Sequence, residues 1–272
     1  MKISEALQLA SVDFKGICDN PTRVAKILLM HHLDISLEWI FLNLDKSLER
    51  ESEYFSLINR FKSHEPLEYI TGKTSFYGLE FFVQSGVLIP RPETEILVDK
   101  ALENLLNLKA PKVCEIGVGS GVISICLALN SDAMIIATDI SEKALEVAQK
   151  NANKFGVSER INFVHCAYMD EVSGGFDLVV SNPPYIANSY KLDEFVLNEP
   201  HEALFSGESG DEVLKNIILT TRNRAINTLI CEMGYDQKKS MQNALFLNQF
   251  EAEFYQDLAG FDRGFVANYK FK

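Results

Sequence analysis

No run in the chain approaches the roughly 18 consecutive apolar residues of a membrane-spanning helix, so neither a membrane span nor a membrane partner is expected. The N-terminus, Met1-Lys2-Ile3-Ser4-Glu5, carries charge where a signal peptide would be apolar, and a cytoplasmic location is expected. There is also no Lys/Arg cluster or basic stripe: 26 basic residues face 38 acidic ones, for a net charge of -12. Binding to duplex nucleic acid depends on neutralising phosphates, so direct nucleic-acid binding is not expected, whereas a protein partner stays open. Cys-x-x-Cys pairs are missing. The five cysteines, Cys18, Cys114, Cys126, Cys166 and Cys231, are odd in number and scattered, which reads as reduced core thiols with neither a disulfide frame nor a zinc site. No metal is expected. His31-His32 does not change this, because adjacent helical residues point in different directions and no carboxylate-histidine cluster surrounds them. Internal repeats and low-complexity tracts are absent, and no Cys-His or Ser-His-Asp arrangement suggests covalent catalysis.

What is present is a chain of 272 residues, 47% of them apolar, long enough for one large domain or two smaller ones. Residues 1–65 have helical periodicity: Ile3, Leu7 and Ala10 recur on one face, Asn20-Pro21 offers a cap and a first-turn proline, and Val24, Ile27, Leu28 and His31 define the next apolar face. Tyr54, Leu57, Ile58 and Phe61 continue the period, and together these helices suggest a small bundle. Residues 66–92 change character. Glycines at 72, 78 and 86 punctuate Thr74-Ser75-Phe76-Tyr77 and Phe81-Phe82-Val83, which reads as a β-hairpin linker. Leu88 to Glu95 then leads into a helix with Ile96, Leu97, Ala101, Leu102 and Leu105 on its apolar side. Arg91 and Glu93 read equally well as functional groups or as a solvated pair at the helix start.

Residues 93–272 alternate strands and helices. Val113 to Ile116, Met134 to Thr138, Ile161 to Val164, Leu178 to Val180, Leu229 to Glu232 and Gly264 to Asn268 read as strands, with helices over Val122 to Leu129 and Ser141 to Phe155. Such alternation predicts an α/β fold with a parallel sheet covered by helices. His165 is expected to end a strand in the core.

Two stretches carry candidate chemistry. Ser181-Asn182-Pro183-Pro184-Tyr185 follows a strand, so Asn182 stands at the carboxyl end, where open α/β sheets bind ligands. Two successive prolines constrain it, although a Pro-Pro turn is also a common plain loop. The second is Glu115-x-Gly117-Val118-Gly119-Ser120-Gly121, with Asp139 at the end of the next strand. The glycines permit close backbone approach to a ligand, and Asp139 is placed to accept hydrogen bonds from ribose hydroxyls. The spacing is not the Gly-x-Gly-x-x-Gly of a pyrophosphate site, and Glu115 disfavours phosphate; a cationic ligand such as the amino-acid end of S-adenosylmethionine suits it better. A purely structural turn is the alternative.

These motifs resemble those of S-adenosylmethionine-dependent methyltransferases that modify planar amino or amide nitrogens. With Thr71-Gly72, Phe76-Tyr77-Gly78-Leu79, Leu88-Ile89-Pro90-Arg91-Pro92-Glu93-Thr94-Glu95, Asn198-Glu199-Pro200, Glu232-x-Gly234-x-x-Gln237 and Asp257-Leu258-Ala259-Gly260-Phe261-Asp262-Arg263, the chain resembles the release-factor glutamine methyltransferase family. The resemblance implies a Rossmann-like methyltransferase domain behind a small helical-bundle domain that docks substrate. It also implies transfer of a methyl group from S-adenosylmethionine, leaving S-adenosylhomocysteine, to the glutamine side-chain nitrogen of the Gly-Gly-Gln motif in peptide-chain release factors. A monomer is expected. Cofactor contacts are implied for Glu115, Gly117, Val118, Gly119, Ser120, Gly121, Asp139, Tyr168 and Asn182. Substrate contacts are implied for Asn182, Pro183, Pro184 and Tyr185, with Asn182, Pro183 and Tyr185 catalytic. The family's acidic residue before Tyr168 is here Ala167, with Asp170 as a candidate substitute. The alternatives are a nucleic-acid base methyltransferase, whose target amino group would enter the same motif, and a noncatalytic binding protein that keeps the fold.

Overall fold

The computed structural model describes residues 1–270. The chain forms two compact units, one of Met1–Lys73 with Leu192–Asn198 and one of Thr74–Lys191 with the chain from Glu199 onward. The first holds α1 (Ile3–Asp13), α2 (Pro21–Leu33), α3 (Leu37–Leu42), α4 (Glu51–Lys62) and α5 (Leu67–Thr71). Asn20 caps α2 by accepting the Arg23 N–H, and Pro21 occupies the first turn, where its missing donor costs nothing. Ala6, Ala10, Phe14, Leu28, Leu29, Ile40, Tyr54 and Ile58 form the centre of this core. The Tyr54 hydroxyl donates to the Ala25 carbonyl at 3.0 Å, so the ring is buried with its polar end satisfied.

The apolar face of α2 is rotated by one residue from the expected one. Ala25, Leu28, Leu29 and His32 point inward and His31 is exposed. The inward histidine is accommodated because its Nε2 lies 3.1 Å from the Glu49 carbonyl, and Ala25 is small where α2 meets its neighbours. A distant segment completes the unit: Phe195 packs on Phe61 at a ring separation of 4.8 Å, and His64 Nε2 lies 2.8 Å from Glu194.

A hairpin of β1 (Lys73–Phe76) and β2 (Leu79–Phe82) follows. Its two-residue turn, Tyr77-Gly78, has φ of 53° and 72°, the left-handed pair that matches strand twist. That conformation is unfavourable for tyrosine, and α6 (Thr94–Leu105) compensates: Glu95 accepts the Tyr77 N–H at 2.7 Å and Asp99 accepts its hydroxyl at 2.6 Å.

Then come β3 (Lys112–Ile116), α7 (Val122–Asn130), β4 (Met134–Asp139), α8 (Glu142–Lys154), β5 (Ile161–His165), β6 (Leu178–Ser181), α9 (His201–Leu204), α10 (Glu212–Asn223), β7 (Thr228–Glu232), α11 (Lys238–Leu247), β8 (Phe250–Gln256) and β9 (Asp262–Tyr269). Seven strands form one sheet in the order β5-β4-β3-β6-β7-β9-β8, parallel except for β9, which runs antiparallel to both neighbours. The order reverses between β3 and β6, which creates the crevice at the strand ends where such sheets bind ligands. Both faces are covered, and successive strand residues enter opposite cores. Val113, Leu178, Val180 and Ile230 pack with α6, α7 and α8, while Cys114, Val179, Leu229 and Cys231 pack with α10 and α11.

Some details depart from expectation. His165 ends β5, but it is exposed because β5 is the sheet edge. Only Cys114, Cys126 and Cys231 are fully buried thiols, with Cys18 and Cys166 half-buried. The strand β8 carries exposed Glu251 and Glu253 between inward residues; acidic side chains on an edge strand discourage further pairing and also obscure the strand in the sequence. Among the described residues no helix is long and apolar enough to cross a membrane.

One buried side chain ties the hairpin to α8 and to the turn after β3. Asn151 of α8 accepts the Phe82 N–H at 2.8 Å and donates to the carbonyls of Phe82 and Ser120, each at 2.9 Å. Replacing it leaves three backbone groups without partners. Asn151→Ala is therefore expected to lower unfolding stability by about 2–4 kcal/mol in denaturant titration, whereas a change below about 0.5 kcal/mol would contradict this role.

Candidate active site

A cavity of about 420 Å³ opens at the carboxyl ends of β3, β4, β5 and β6, within the size range of small-molecule sites. Its wall includes Gly117 and Gly119 after β3, Asp139 at the end of β4, Ala167 and Tyr168 after β5, and Asn182, Pro183 and Pro184 after β6. Two sequence stretches far apart in the chain therefore meet on one wall.

The glycine turn is set by backbone geometry. Gly117, Gly119 and Gly121 have φ of 77°, 54° and 85°, a region that side chains disfavour. The three glycines divide by role. A Cβ at Gly117 or Gly119 would meet open space, which leaves the backbone accessible, whereas one at Gly121 would lie 3.1 Å from the Ala148 backbone and the Ile125 side chain. Gly121 is thus a packing residue where α7 leaves the turn beside α8. Asp139 locks the turn: one oxygen accepts the Gly119 N–H and the other the Ser141 N–H, both at 2.9 Å. Burial raises its carboxyl pKa, and these backbone hydrogen bonds oppose the rise.

Glu115, Val118, Ser120 and Gly121 stand behind the cavity wall. Val118 belongs to the core, and the Ser120 carbonyl accepts from Asn151. Glu115 is buried, with one oxygen accepting the Ser124 N–H at 2.9 Å and also the Ser124 hydroxyl, while its other oxygen has no hydrogen-bond partner among the described residues. Burial pushes its carboxyl up to about 8, against the pull of Ser124. Tyr168 is held on the wall by two contacts: Thr138 donates to its carbonyl at 2.6 Å and Asn216 to its hydroxyl at 3.0 Å. Asp170, the candidate substitute for the missing acid, is exposed and off the wall.

After β6 the polar groups form a continuous chain. Asn182 Nδ2 donates to Thr94 Oγ1 at 3.0 Å, Thr94 Oγ1 donates to Glu232 at 2.7 Å, and the Tyr185 hydroxyl donates to the other Glu232 oxygen at 3.0 Å. Tyr185 therefore turns its hydroxyl toward β7 and is absent from the cavity wall. Its carbonyl, with that of Gly210, is held by Gln237 Nε2 at 2.9 Å, which fixes the loop. Burial raises Glu232 to about 7, against the hydrogen bonds from Thr94 and Tyr185, and burial likewise raises the Tyr185 hydroxyl.

The choice left open for Arg91 is resolved by its partner. It donates to buried Glu199 at 2.5 Å, and the other Glu199 oxygen accepts the Ile89 N–H at 2.9 Å, joining the segments that bring Leu88 and Pro200 to the cavity wall. Thr94 and Glu232 were visible in the sequence only as parts of longer motifs. The usable signal was a carboxylate ending the otherwise apolar run Leu229 to Cys231, as Glu115 stands near the end of β3.

Residues 93–208 match the family described as Methyltransferase small domain, and residues 5–72 the one described as PrmC N-terminal domain. The ribosomal protein L11 methylase of Lactobacillus delbrueckii subsp. bulgaricus shares the fold, with a TM-score of 0.53 over 70% of this chain and 84% of that one at 22% identity. Fold and site together define a Rossmann-like methyltransferase with an added helical unit. The release factor glutamine methyltransferase of Buchnera aphidicola subsp. Baizongia pistaciae is 35% identical over 271 residues, covering 97% of this chain and 98% of its own. That of Chlorobaculum tepidum is 37% identical over 264 residues, 90% of each chain. The chain belongs to the release factor glutamine methyltransferase family.

The glycine division is directly testable. Gly121→Ala combines a left-handed backbone with a close contact and should cost about 2–4 kcal/mol of stability. Gly119→Ala meets no obstacle, so it should cost about 1–2 kcal/mol and act mainly on cofactor affinity. Thermal unfolding and cofactor titration of both variants distinguish them; equal stability losses would contradict the assignment.

Proposed function

We propose that the chain transfers a methyl group from S-adenosylmethionine to the side-chain nitrogen of the glutamine in the Gly-Gly-Gln motif of peptide-chain release factors. The observation that carries this reading is that Asn182 and Pro183 share one cavity wall with the open glycines and Asp139. An acceptor pair for a planar amide is thereby joined to a nucleoside-sized site in a member of this family.

The donor set suits S-adenosylmethionine. Gly117 and Gly119 offer backbone without side-chain obstruction, Asp139 keeps lone pairs for ribose hydroxyls, and Tyr168 offers a ring for the adenine. Glu115, buried behind the turn with one oxygen unpartnered among the described residues, suits a ligand whose cationic end draws that carboxyl to its ionised form, and a phosphate would oppose it. Val118, Ser120 and Gly121 contribute by holding the turn. When bound, the cofactor supplies an electrophilic methyl group on its sulfonium and leaves as S-adenosylhomocysteine; no metal takes part in this reading.

An amide nitrogen is a poor nucleophile because its lone pair is delocalised into the carbonyl. The task of the protein is therefore orientation. The Asn182 side-chain oxygen and the Pro183 backbone carbonyl accept the two amide hydrogens and hold the nitrogen in place, and positive charge developing there is stabilised by the same acceptors. Pro184 stiffens the loop, and the Tyr185 ring gives it a packed base. Alignment of two bound reactants supplies about 7–11 kcal/mol of barrier reduction, and the methylated nitrogen, once cationic, is acidic enough to release its extra proton to water, so no strong general base is required. The N-terminal helices, residues 1–65, dock the protein substrate, because a short loop alone supplies little of the surface that a specific complex buries. The enzyme acts as a monomer in the cytoplasm without direct nucleic-acid contact.

With labelled S-adenosylmethionine and a cognate release factor, label is expected in the wild-type substrate and not in one whose Gly-Gly-Gln is changed to Gly-Gly-Ala. Equal labelling of the two would overturn the proposal.

A further inference from the structure

Thr94 and Glu232 are each 2% exposed, and neither is among the groups that touch substrate or cofactor on the reading above. Their hydrogen bonds nevertheless decide how Asn182 is turned. A side-chain amide has two nearly isosteric orientations, one presenting oxygen and the other NH2, and the difference is set by the hydrogen-bond network around it.

The network has a direction. An ionised carboxylate only accepts, and the two oxygens of Glu232 face one hydroxyl each, Thr94 at 2.7 Å and Tyr185 at 3.0 Å. Each hydroxyl has a single proton. With its proton committed to Glu232, Thr94 Oγ1 offers only lone pairs to Asn182, which must meet it with Nδ2, the donor at 3.0 Å. The Asn182 oxygen is then the atom left for the cavity. We propose that Glu232, acting through Thr94, holds Asn182 in the orientation that presents its carbonyl oxygen to the substrate amide, so that Thr94 and Glu232 are positioning residues for methyl transfer. This inference rests on the proposed role of Asn182 as the acceptor for the substrate amide.

The relay reverses when Glu232 takes up a proton. A neutral carboxyl that donates to Thr94 turns the Thr94 proton toward Asn182, whose oxygen then swings to meet it. The NH2 group left facing the cavity opposes the NH2 of the substrate. Burial raises Glu232 to about 7, which brings this reversal near neutral pH. The groups around Glu232 come from several elements. Thr94 lies on α6 with Glu93 just before it, Tyr185 follows β6, Cys231 precedes Glu232 on β7, Tyr255 lies on β8 and Arg263 on β9. Arg263 lowers the Glu232 pKa and Glu93 raises it; Arg263 is itself paired with Asp257 at 2.7 Å, and Arg91 acts on Tyr185.

The test is single-turnover methyl transfer to the Gly-Gly-Gln release factor by the full chain, across about pH 6 to 9 at saturating cofactor. The wild type is expected to lose rate on the acid side of about pH 7. Thr94→Val, which is nearly isosteric but offers Asn182 no lone pair, should lower the plateau rate at least about tenfold, with cofactor affinity within about twofold, and should show no acid limb. Thr94→Ser should restore most of the rate and the limb. Glu232→Gln removes the titrating group and should abolish the limb, whatever its plateau. Wild-type rates in Thr94→Val, or an acid limb that persists in Glu232→Gln, would overturn the relay. Asn182→Ala separates the two levels of the account. If it loses activity while Thr94→Val keeps it, only the relay fails; if Asn182→Ala keeps activity, the reading of the site fails with it.

Discussion

A carboxylate buried without donors costs several kcal/mol, and the catalytic unit carries two at its strand ends. Glu115 is the next-to-last residue of β3 and Glu232 the last of β7, both facing the layer that contains α6 and α7. Each is held by hydroxyl donors from outside its own strand: Ser124 of α7 for Glu115, and Thr94 of α6 with Tyr185 for Glu232. Satisfying these carboxyls fixes how α6, α7 and the loop after β6 meet the sheet.

The two buried acids differ in what they leave over. Glu232 has both oxygens engaged, so its effect passes outward through Thr94 to Asn182. Glu115 keeps one oxygen without a partner among the described residues, directly behind the turn whose glycines face open space. A buried carboxyl with one unpartnered oxygen next to accessible backbone is a costly arrangement in a purely structural turn. The Asp139 carboxyl, at the end of β4, joins this turn to the N-terminal end of α8.

Much of this was legible in the sequence because it is locally encoded. Helical period marked the N-terminal bundle, alternation marked the parallel sheet, and Gly117 to Gly121 with Asp139 marked the crevice where the strand order reverses. What escaped depends on partners far away in the chain. The α2 face is set by Ala25 and by the Glu49 carbonyl that takes His32, and a one-residue rotation leaves the apolar periodicity almost unchanged. The grouping of 192–198 with the N-terminal helices has no local signal. Thr94, in particular, looks like an ordinary helix-start threonine until Glu232 and Asn182 are brought to its two sides. Gly121 looked like its neighbours because a sequence does not distinguish a glycine that faces a ligand from one that faces Ala148.

On the proposed function, orientation of a weak nucleophile is the main catalytic task, with acceptors aimed at amide hydrogens and no covalent step. The central claim concerns which atom receives the methyl group. Tandem mass spectrometry of the Gly-Gly-Gln peptide from a release factor treated with enzyme and S-adenosylmethionine tests it most directly. The predicted result is one added methyl group on the glutamine side-chain nitrogen, absent when the enzyme carries Asn182→Ala. A methyl group on any other residue, or undiminished glutamine methylation by Asn182→Ala, would contradict it.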